Sequence, residues 1–457
     1  MTAVINVRDE LSEAPISRFH WIFGLLVTVI MLFDGYDLFN AAYVIPLVRA
    51  TWQPSPTMIG VMLSSGIVGL TLGSVLQGFL ADRFGRRKIM LLALWVLTAC
   101  NVLLAFTVDS PLSFTICRLI LGTALGMITP LVMTYINELT PKKSANTYTI
   151  LVFMIGFSIG GILAGVIGIV LGQSYGWQWI YVIGALCLVV SVVAQFWFPE
   201  SIQFLALRND WVQVQKLLTR LRPGRAEAYK NAQSFILSQD ENKGKKRASV
   251  LTLLSPIYRR RTIISWSAGF LSLFCIHGLT GWLPTLVIQK GQTISSGFAF
   301  GSLIMVTSLF GSIACGWFAD RVNSRVISMV VAYLAAAVSM ICLGMYIGKS
   351  NVVIFVAAAG FFVFGAQAVL NNFQAMSYHT EIRGTGVGVA VALNRVGGIL
   401  GPFLIGLLRS INPDPKYTFL GLACALVLAA ICISFGRRNM EWSQAGLPTS
   451  LEKSLQQ

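Results

Sequence analysis

Long apolar runs dominate the chain, and short polar clusters separate them. A helix that crosses a bilayer needs about 20 mostly apolar residues. Twelve stretches have that length, at about 20–47, 58–81, 89–107, 112–136, 147–172, 178–198, 262–289, 296–319, 327–347, 352–377, 385–408 and 417–436. The pattern predicts an all-α integral membrane protein with twelve transmembrane helices. Residues 199–261 are charged and contain no long apolar run. Within them, Trp211, Val214, Leu217, Leu218 and Leu221 share one helical face, which predicts a short amphipathic helix lying on the cytoplasmic surface. The first seventeen residues are polar and mixed in charge, with Arg8, Asp9, Glu10 and Glu13. They do not form the basic start of a signal peptide, and the apolar run behind them is too long for its core. That run is expected to stay as a membrane helix.

Composition excludes a water-soluble fold. Of 457 residues, 55% are hydrophobic and 11% charged, against about 25% charged in soluble domains. The eight cysteines all fall in apolar stretches without paired spacing. They read as buried thiols, not as a disulfide framework or a metal site. The net charge of +16 would point to nucleic acid in a soluble protein. Its placement excludes that partner. With the N-terminus in the cytoplasm, 27 of the 34 Lys and Arg residues lie inside and five outside, at Arg49, Lys290, Lys349, Arg409 and Lys416. Such asymmetry is the positive-inside pattern, and basic loops suit an anionic cytoplasmic leaflet. Both termini are expected in the cytoplasm.

The chain repeats itself. Residues 73–87 read GSVLQGFLADRFGRR and residues 311–325 read GSIACGWFADRVNSR, with seven of fifteen positions identical. Both copies close an apolar run, the second and the eighth. A repeat after six helices makes two parallel-related halves. The expected organisation is a tail at 1–19, a six-helix bundle at 20–198, a central loop at 199–261, a second bundle at 262–436 and a tail at 437–457. Twelve helices in two halves, with the run Gly78-x-Leu80-Ala81-Asp82-Arg83-x-Gly85-Arg86-Arg87-Lys88, resemble the major facilitator superfamily. The second copy keeps Gly316, Ala319, Asp320, Arg321 and Arg325 but has Asn323 in place of glycine. Gly78 and Gly85 are expected to allow close approach and a tight reversal. Asp82, with Arg83, Arg86, Asp320 and Arg321, is expected to form a latch that holds one conformation of the two halves and releases it in the other.

Asp34 and Asp37 stand in the middle of the first run. A charged side chain at that depth costs at least about 2.5–3.5 kcal/mol, so the pair is expected to face a central cavity from one helix face. Gly35 between them is expected to loosen the backbone. Carboxylates close together in a dry site suit reversible protonation. Arg118 in the fourth run needs a counter-ion, and Asp34 or Asp37 is the expected partner. Glu138 at the end of that run reads as a gate or latch, or as a solvated helix end. Proton coupling is thus assigned to Asp34, Asp37, Arg118 and Glu138. Arg395, beside Asn394, is central in the eleventh run with no acid in view, so either a substrate carboxylate completes it or it serves as a structural link to the Asp320 latch. Asn371 and Asn372 are candidate hydrogen-bonding groups and Phe274 and Trp282 candidate stacking rings; His277 reads first as a satisfied core histidine and second as a site residue. The stripe of Gly156, Gly160, Ala164, Gly168 and Gly172 reads as close helix packing.

Asp34-Gly35-Tyr36-Asp37, followed by Leu38-Phe39-Asn40, resembles the aromatic acid/proton symporters within the superfamily. So do Trp282-Leu283-Pro284-Thr285 and Pro199-Glu200-Ser201 with Phe204-Leu205. The resemblance implies that Tyr36 and Asn40 join the substrate site and that a benzoate-type carboxylate moves inward with a proton. Exporters of the superfamily often carry Gly-Pro in the fifth-run stripe, and its absence here favours uptake. The remaining alternatives are a symporter for a non-aromatic organic acid (a dicarboxylate, muconate or sugar acid), a drug or metabolite exporter, and a transporter-like sensor. No catalytic, nucleotide, metal or cofactor constellation is legible. The sequence therefore predicts a proton-coupled importer, functional as a monomer in a bacterial cytoplasmic membrane, and not an enzyme.

Overall fold

The computed structural model describes residues 4–141, 148–149, 152, 154–232, 234–236, 250–349 and 351–436, without the side chains of 380 and 381. The tail at 437–457 and most of 142–153, the expected start of the fifth helix, lie outside the described residues. Twelve described helices are long and apolar enough to cross a membrane. In chain order these spans are Arg18–Trp52, Pro56–Phe84, Arg86–Phe106, Pro111–Leu139, Ile155–Tyr175, Gln178–Trp197, Arg259–Gln289, Ile294–Arg321, Arg325–Tyr346, Val352–Met376, Thr380–Ile411 and Pro415–Ser434. Most run a few residues past the apolar windows, because polar residues continue and cap them. Ser55 accepts the Met58 N–H at 3.2 Å ahead of Pro56, and Ser324 accepts that of Ile327 at 3.3 Å. Arg259, Arg260 and Arg261 form the first turn of the seventh span. The fifth span loosens to a π-helix over Gly168–Gly172, within its glycine stripe.

Packing follows the repeat. The second span lies on the fourth and the first on the fifth; in the other half the eighth lies on the tenth and the seventh on the eleventh. The halves meet where the second span touches the eleventh, the fifth the eighth, and the first the seventh. These contacts concentrate at one face. The first span starts at a face we call terminal, since the N-terminus and the inter-half loop lie there. Toward the opposite face, Ser64 Oγ donates to the Ile399 carbonyl at 2.7 Å and Gln173 Nε2 to Ser295 Oγ at 2.9 Å. Tyr43 meets Phe298 edge to face at 5.3 Å. Toward the terminal face Asp82, Asp320, Asn371 and Asn372 are exposed. The halves are closed at the opposite face and parted at the terminal one.

The central loop departs from expectation. The helix Trp211–Leu221 forms, N-capped by Asp210, but Val214, Leu217, Leu218 and Leu221 are buried in protein and do not face lipid. The N-terminal tail explains this. Val4–Asn6 pairs in parallel with Ser234–Ile236, a small sheet that the helical pattern did not announce. Behind it Glu10 accepts from Arg222 at 2.7 Å, Arg225 at 2.5 Å and the Tyr229 hydroxyl at 2.7 Å. Burial and the Glu10 carboxylate push the Tyr229 phenol above its ordinary range. Tail and loop thus form one cap beneath the first half.

Candidate functional site

Asp34 and Asp37 are both buried between helices at mid-depth. Asp37 accepts from Asn40 Nδ2 at 2.9 Å and from Asn101 Nδ2 of the third span at 2.9 Å. Arg118 does not close an ion pair with it. Its guanidinium donates instead to the Asp37 backbone carbonyl at 2.7 Å and to Asn40 Oδ1 at 3.0 Å. Asn40 thereby bridges the cation and the carboxylate. Asp34 is held more weakly, by the Thr129 hydroxyl at 3.3 and 3.5 Å. The helix runs unbroken through Gly35. A Cβ there would overlap the Phe157 carbonyl, so this glycine serves close packing on the fifth span and does not loosen the backbone.

A cavity of about 30 Å³ opens beside Arg118, between the halves. His277 lines its far side, and Leu38, Phe39, Leu63 and Ile67 give it apolar walls. Among the described residues Arg118 Nε has no hydrogen-bond partner, and the buried Tyr181 hydroxyl lies beside the guanidinium. The space admits a water but not a ring; benzene occupies cavities on the order of 150 Å³.

Other candidates lie elsewhere. Arg395 reaches across to the first half, donating to the Leu70 carbonyl at 3.3 Å and to Ser74 Oγ in a shorter contact. Its expected vacancy is therefore filled by the second span. Asn394 turns into its own half and donates to Gln374 at 3.2 Å. Tyr36 donates to the Ile180 carbonyl at 2.6 Å, within the first half. Trp282 is buried and donates to the Pro402 carbonyl at 2.9 Å, so it does not line the cavity. Phe274 packs against the hydrophobic core. Asn371 accepts from Gln367 at 2.7 Å, and both it and Asn372 face the open, terminal side.

The latch also differs. Asp82 is exposed and makes no hydrogen bond or ion pair among the described residues, as are and do Asp320 and Arg321, apart from the latter's place over Trp317. Arg83 is exposed, rests on Phe84 and gives its carbonyl to Arg208. The closed ion pair is Arg86 with Glu138. Ser201 ties it, donating to Glu138 at 2.5 Å and accepting from Arg86 at 3.0 Å. Glu200 accepts the Arg87 backbone N–H at 3.0 Å, capping the third span. Glu138 lies nine residues past Thr129, about 13 Å along the helix, so it belongs to this lock and not with Asp34. Gly85 makes the reversal at φ +102°, and Asn323 makes the equivalent turn at φ 52°. Gly78 has nothing within 4 Å of a built Cβ, so no close approach requires it.

Sequence reasoning missed Asn101, Thr129, Ser74 and the hydrogen bonds by which Glu200 and Ser201 hold the lock. Asn101 was findable, as the single amide in an apolar run. Ser74 and Thr129 were not, since hydroxyls in membrane helices commonly bond their own backbone.

A polar cluster inside one bundle, a cavity between two bundles and a signature loop at the terminal face are the parts of a membrane carrier. A family model described as "Major Facilitator Superfamily" matches residues 25–402 and 301–449. The chain belongs to the major facilitator superfamily. Among curated relatives, the benzoate transport protein of Acinetobacter baylyi is 30% identical, covering 95% of this chain and 93% of that one. The gallate transporter of Pseudomonas putida is 32% identical, covering 94% and 95%. A 4-hydroxybenzoate transporter of the same species is 29% identical over 88% and 90%. Among solved structures, the partially occluded inward-open xylose transporter of E. coli matches with a TM-score of 0.73 at 17% identity, covering 94% of this chain and all of that one. As a facilitator the protein is a multi-pass transporter and not an enzyme.

The Arg86–Glu138 pair makes a first prediction. Glu138→Gln leaves a half-buried guanidinium without its charge partner, a loss of about 3 kcal/mol. Thermal unfolding should show it, and adding Arg86→Gln should recover part of the loss. A double variant no more stable than the single one counts against the pair.

Proposed function

We propose that this facilitator imports small aromatic carboxylates together with protons by alternating access, across a bacterial cytoplasmic membrane with both termini inside. The observation that carries the reading is the cavity between the halves. It sets Arg118 against apolar walls, and Asn40 ties that arginine to the buried Asp37 carboxylate. Benzoate, gallate and 4-hydroxybenzoate, named for the relatives, share a carboxylate on a planar ring. Arg118 suits the carboxylate, His277 and the apolar walls the ring, once the cavity widens. Asp34, with one weak donor, is the proton carrier; Asp37, with two amide donors, is satisfied as an anion. Asp82, free while the halves are parted at its face, is the latch for the opposite state. The protein acts as a monomer.

Arginine binds a carboxylate through two parallel N–H groups, which lysine cannot reproduce. Arg118→Lys should therefore weaken benzoate binding by roughly tenfold or more, the scale of one charged hydrogen bond. Arg395→Lys should change affinity far less, because its partners are in the second span, and should slow transport instead. Calorimetry and proteoliposome uptake separate the two. Equal benzoate affinity in Arg118→Lys and wild type rejects the assignment. Uptake of labelled benzoates against aliphatic acids, with and without an uncoupler, tests the substrate class and the coupling. Counterflow tests the sensor alternative, since a sensor exchanges no label.

A further inference from the structure

A second cavity, of about 480 Å³, lies at the terminal face, outside the inter-half site. It sits between the start of the third span, the end of the sixth and the cap helix Trp211–Leu221. Four basic side chains line it, Arg87, Lys88, Arg208 and Arg220, against two acids, Glu200 and Asp210. Both acids are already engaged. Glu200 accepts the backbone N–H groups of Arg87 and Ser201, and Asp210 caps the helix through Gln213 N–H. Arg87 and Arg208 are fixed in place, donating to the Gln195 and Arg83 carbonyls at 2.6 and 2.8 Å. Lys88 and Arg220 are exposed and make no hydrogen bond or ion pair among the described residues.

The cavity opens toward lipid. Lys88, Leu92 and Trp95 are exposed at helical spacing on the third span, so the lysine heads an apolar stripe. On the neighbouring sixth span, Phe196 is 85% exposed, below the exposed Val192 and Val193. Two lipid-facing stripes thus converge beneath a net positive pocket at the depth where phospholipid headgroups lie. Basic pockets between membrane helices bind anionic headgroups, and surface Lys and Arg attract them.

We infer that this cavity binds an anionic phospholipid, its phosphate and headgroup held by the four basic residues and its acyl chains along the two stripes. A seated lipid bridges the third span to the cap and adds a negative charge where the acids leave positive charge in excess. The site is independent of the transported substrate.

Purified full-length protein is titrated with phosphatidylglycerol and with phosphatidylcholine of the same chains, read by native mass spectrometry and thermal stability. Wild type should prefer phosphatidylglycerol. Lys88→Gln with Arg220→Gln should weaken that preference on the order of 30-fold, from about fivefold for each basic residue near the surface. Both residues are exposed, so the variant should fold, as gel filtration shows. Lys216→Gln, which removes an exposed charge outside the cavity, should leave the preference intact. Three results overturn the inference: no preference in wild type, preference retained in the double variant, or equal loss in Lys216→Gln. Displacement of the lipid by millimolar inorganic phosphate or glycerol phosphate also overturns it, by making the site one for a soluble anion.

Discussion

Asp34→Asn should abolish accumulation driven by a pH gradient while leaving exchange of labelled for unlabelled substrate. One proton moved down one pH unit supports about tenfold accumulation, and that factor should fall to one. The geometry distinguishes the two aspartates. Among the described residues Asp34 has only the Thr129 hydroxyl, at 3.3 and 3.5 Å. A buried carboxylate so poorly served is stabilised by gaining a proton or a cation. Asparagine imitates the protonated form permanently, so the site can no longer cycle. Asp37 has two amide donors at 2.9 Å. Asp37→Asn sets an amide N–H₂ against those of Asn40 and Asn101, leaving buried donors unmatched at about 1–3 kcal/mol each. That variant should lose thermal stability and substrate binding together. Proteoliposomes with an imposed pH gradient decide the matter. If Asp34→Asn concentrates substrate and acidifies the lumen like wild type, the proton travels elsewhere, and His277 is the next group to test.

Much of this architecture was legible because lipid allows so few solutions. Twelve apolar runs and a repeat across the halves lead directly to the helices and their pairing. The depth of Asp34 and Asp37 marked the centre, since two carboxylates there cannot face hydrocarbon. What the pattern could not give was which groups satisfy which. Arg395 looked unpaired because its partners are a backbone carbonyl and a serine, neither of which announces itself as a counter-ion. Glu138 looked free to carry protons because Arg86 lies some fifty residues earlier in the chain. The partner of the amphipathic helix Trp211–Leu221 was hidden because the tail that it packs with is six spans away in the chain but adjacent in space, joined through Glu10. These errors arose where a group met a partner distant in sequence; Gly35 and Gly78 were misread because only the packed helices show where a Cβ would meet backbone or open space.

Gly122→Val should leave little folded carrier, whereas Gly78→Ala, within the family's signature loop, should be neutral or stabilising. The second and fourth spans touch through backbone. A Cβ on Gly122 would overlap the Gly66 carbonyl, one on Gly126 that of Leu70, and ones on Gly69 and Gly73 those of Leu119 and Thr123. Neither backbone can yield alone, because each helix is locked to the other at several points along the seam. Overpacking typically costs about 1–3 kcal/mol when side chains can give way; against backbone carbonyls the cost should exceed that range. The total stability of a domain is only about 5–15 kcal/mol. The consequence reaches the site as well. Gly66 lies against the Arg118 guanidinium, with a built Cβ 3.1 Å from its terminal nitrogen. Parting the two spans withdraws Arg118 from the Asp37 carbonyl and from Asn40, so any folded fraction should bind substrate weakly. Gly78 has open space where its Cβ would stand, and alanine favours a helix over glycine by about 1 kcal/mol. Gel filtration of detergent extracts, thermal unfolding and uptake per folded molecule measure all of this. A Gly122→Val protein that unfolds with wild type and transports at its rate would show that the seam is not what sets the spacing of these helices.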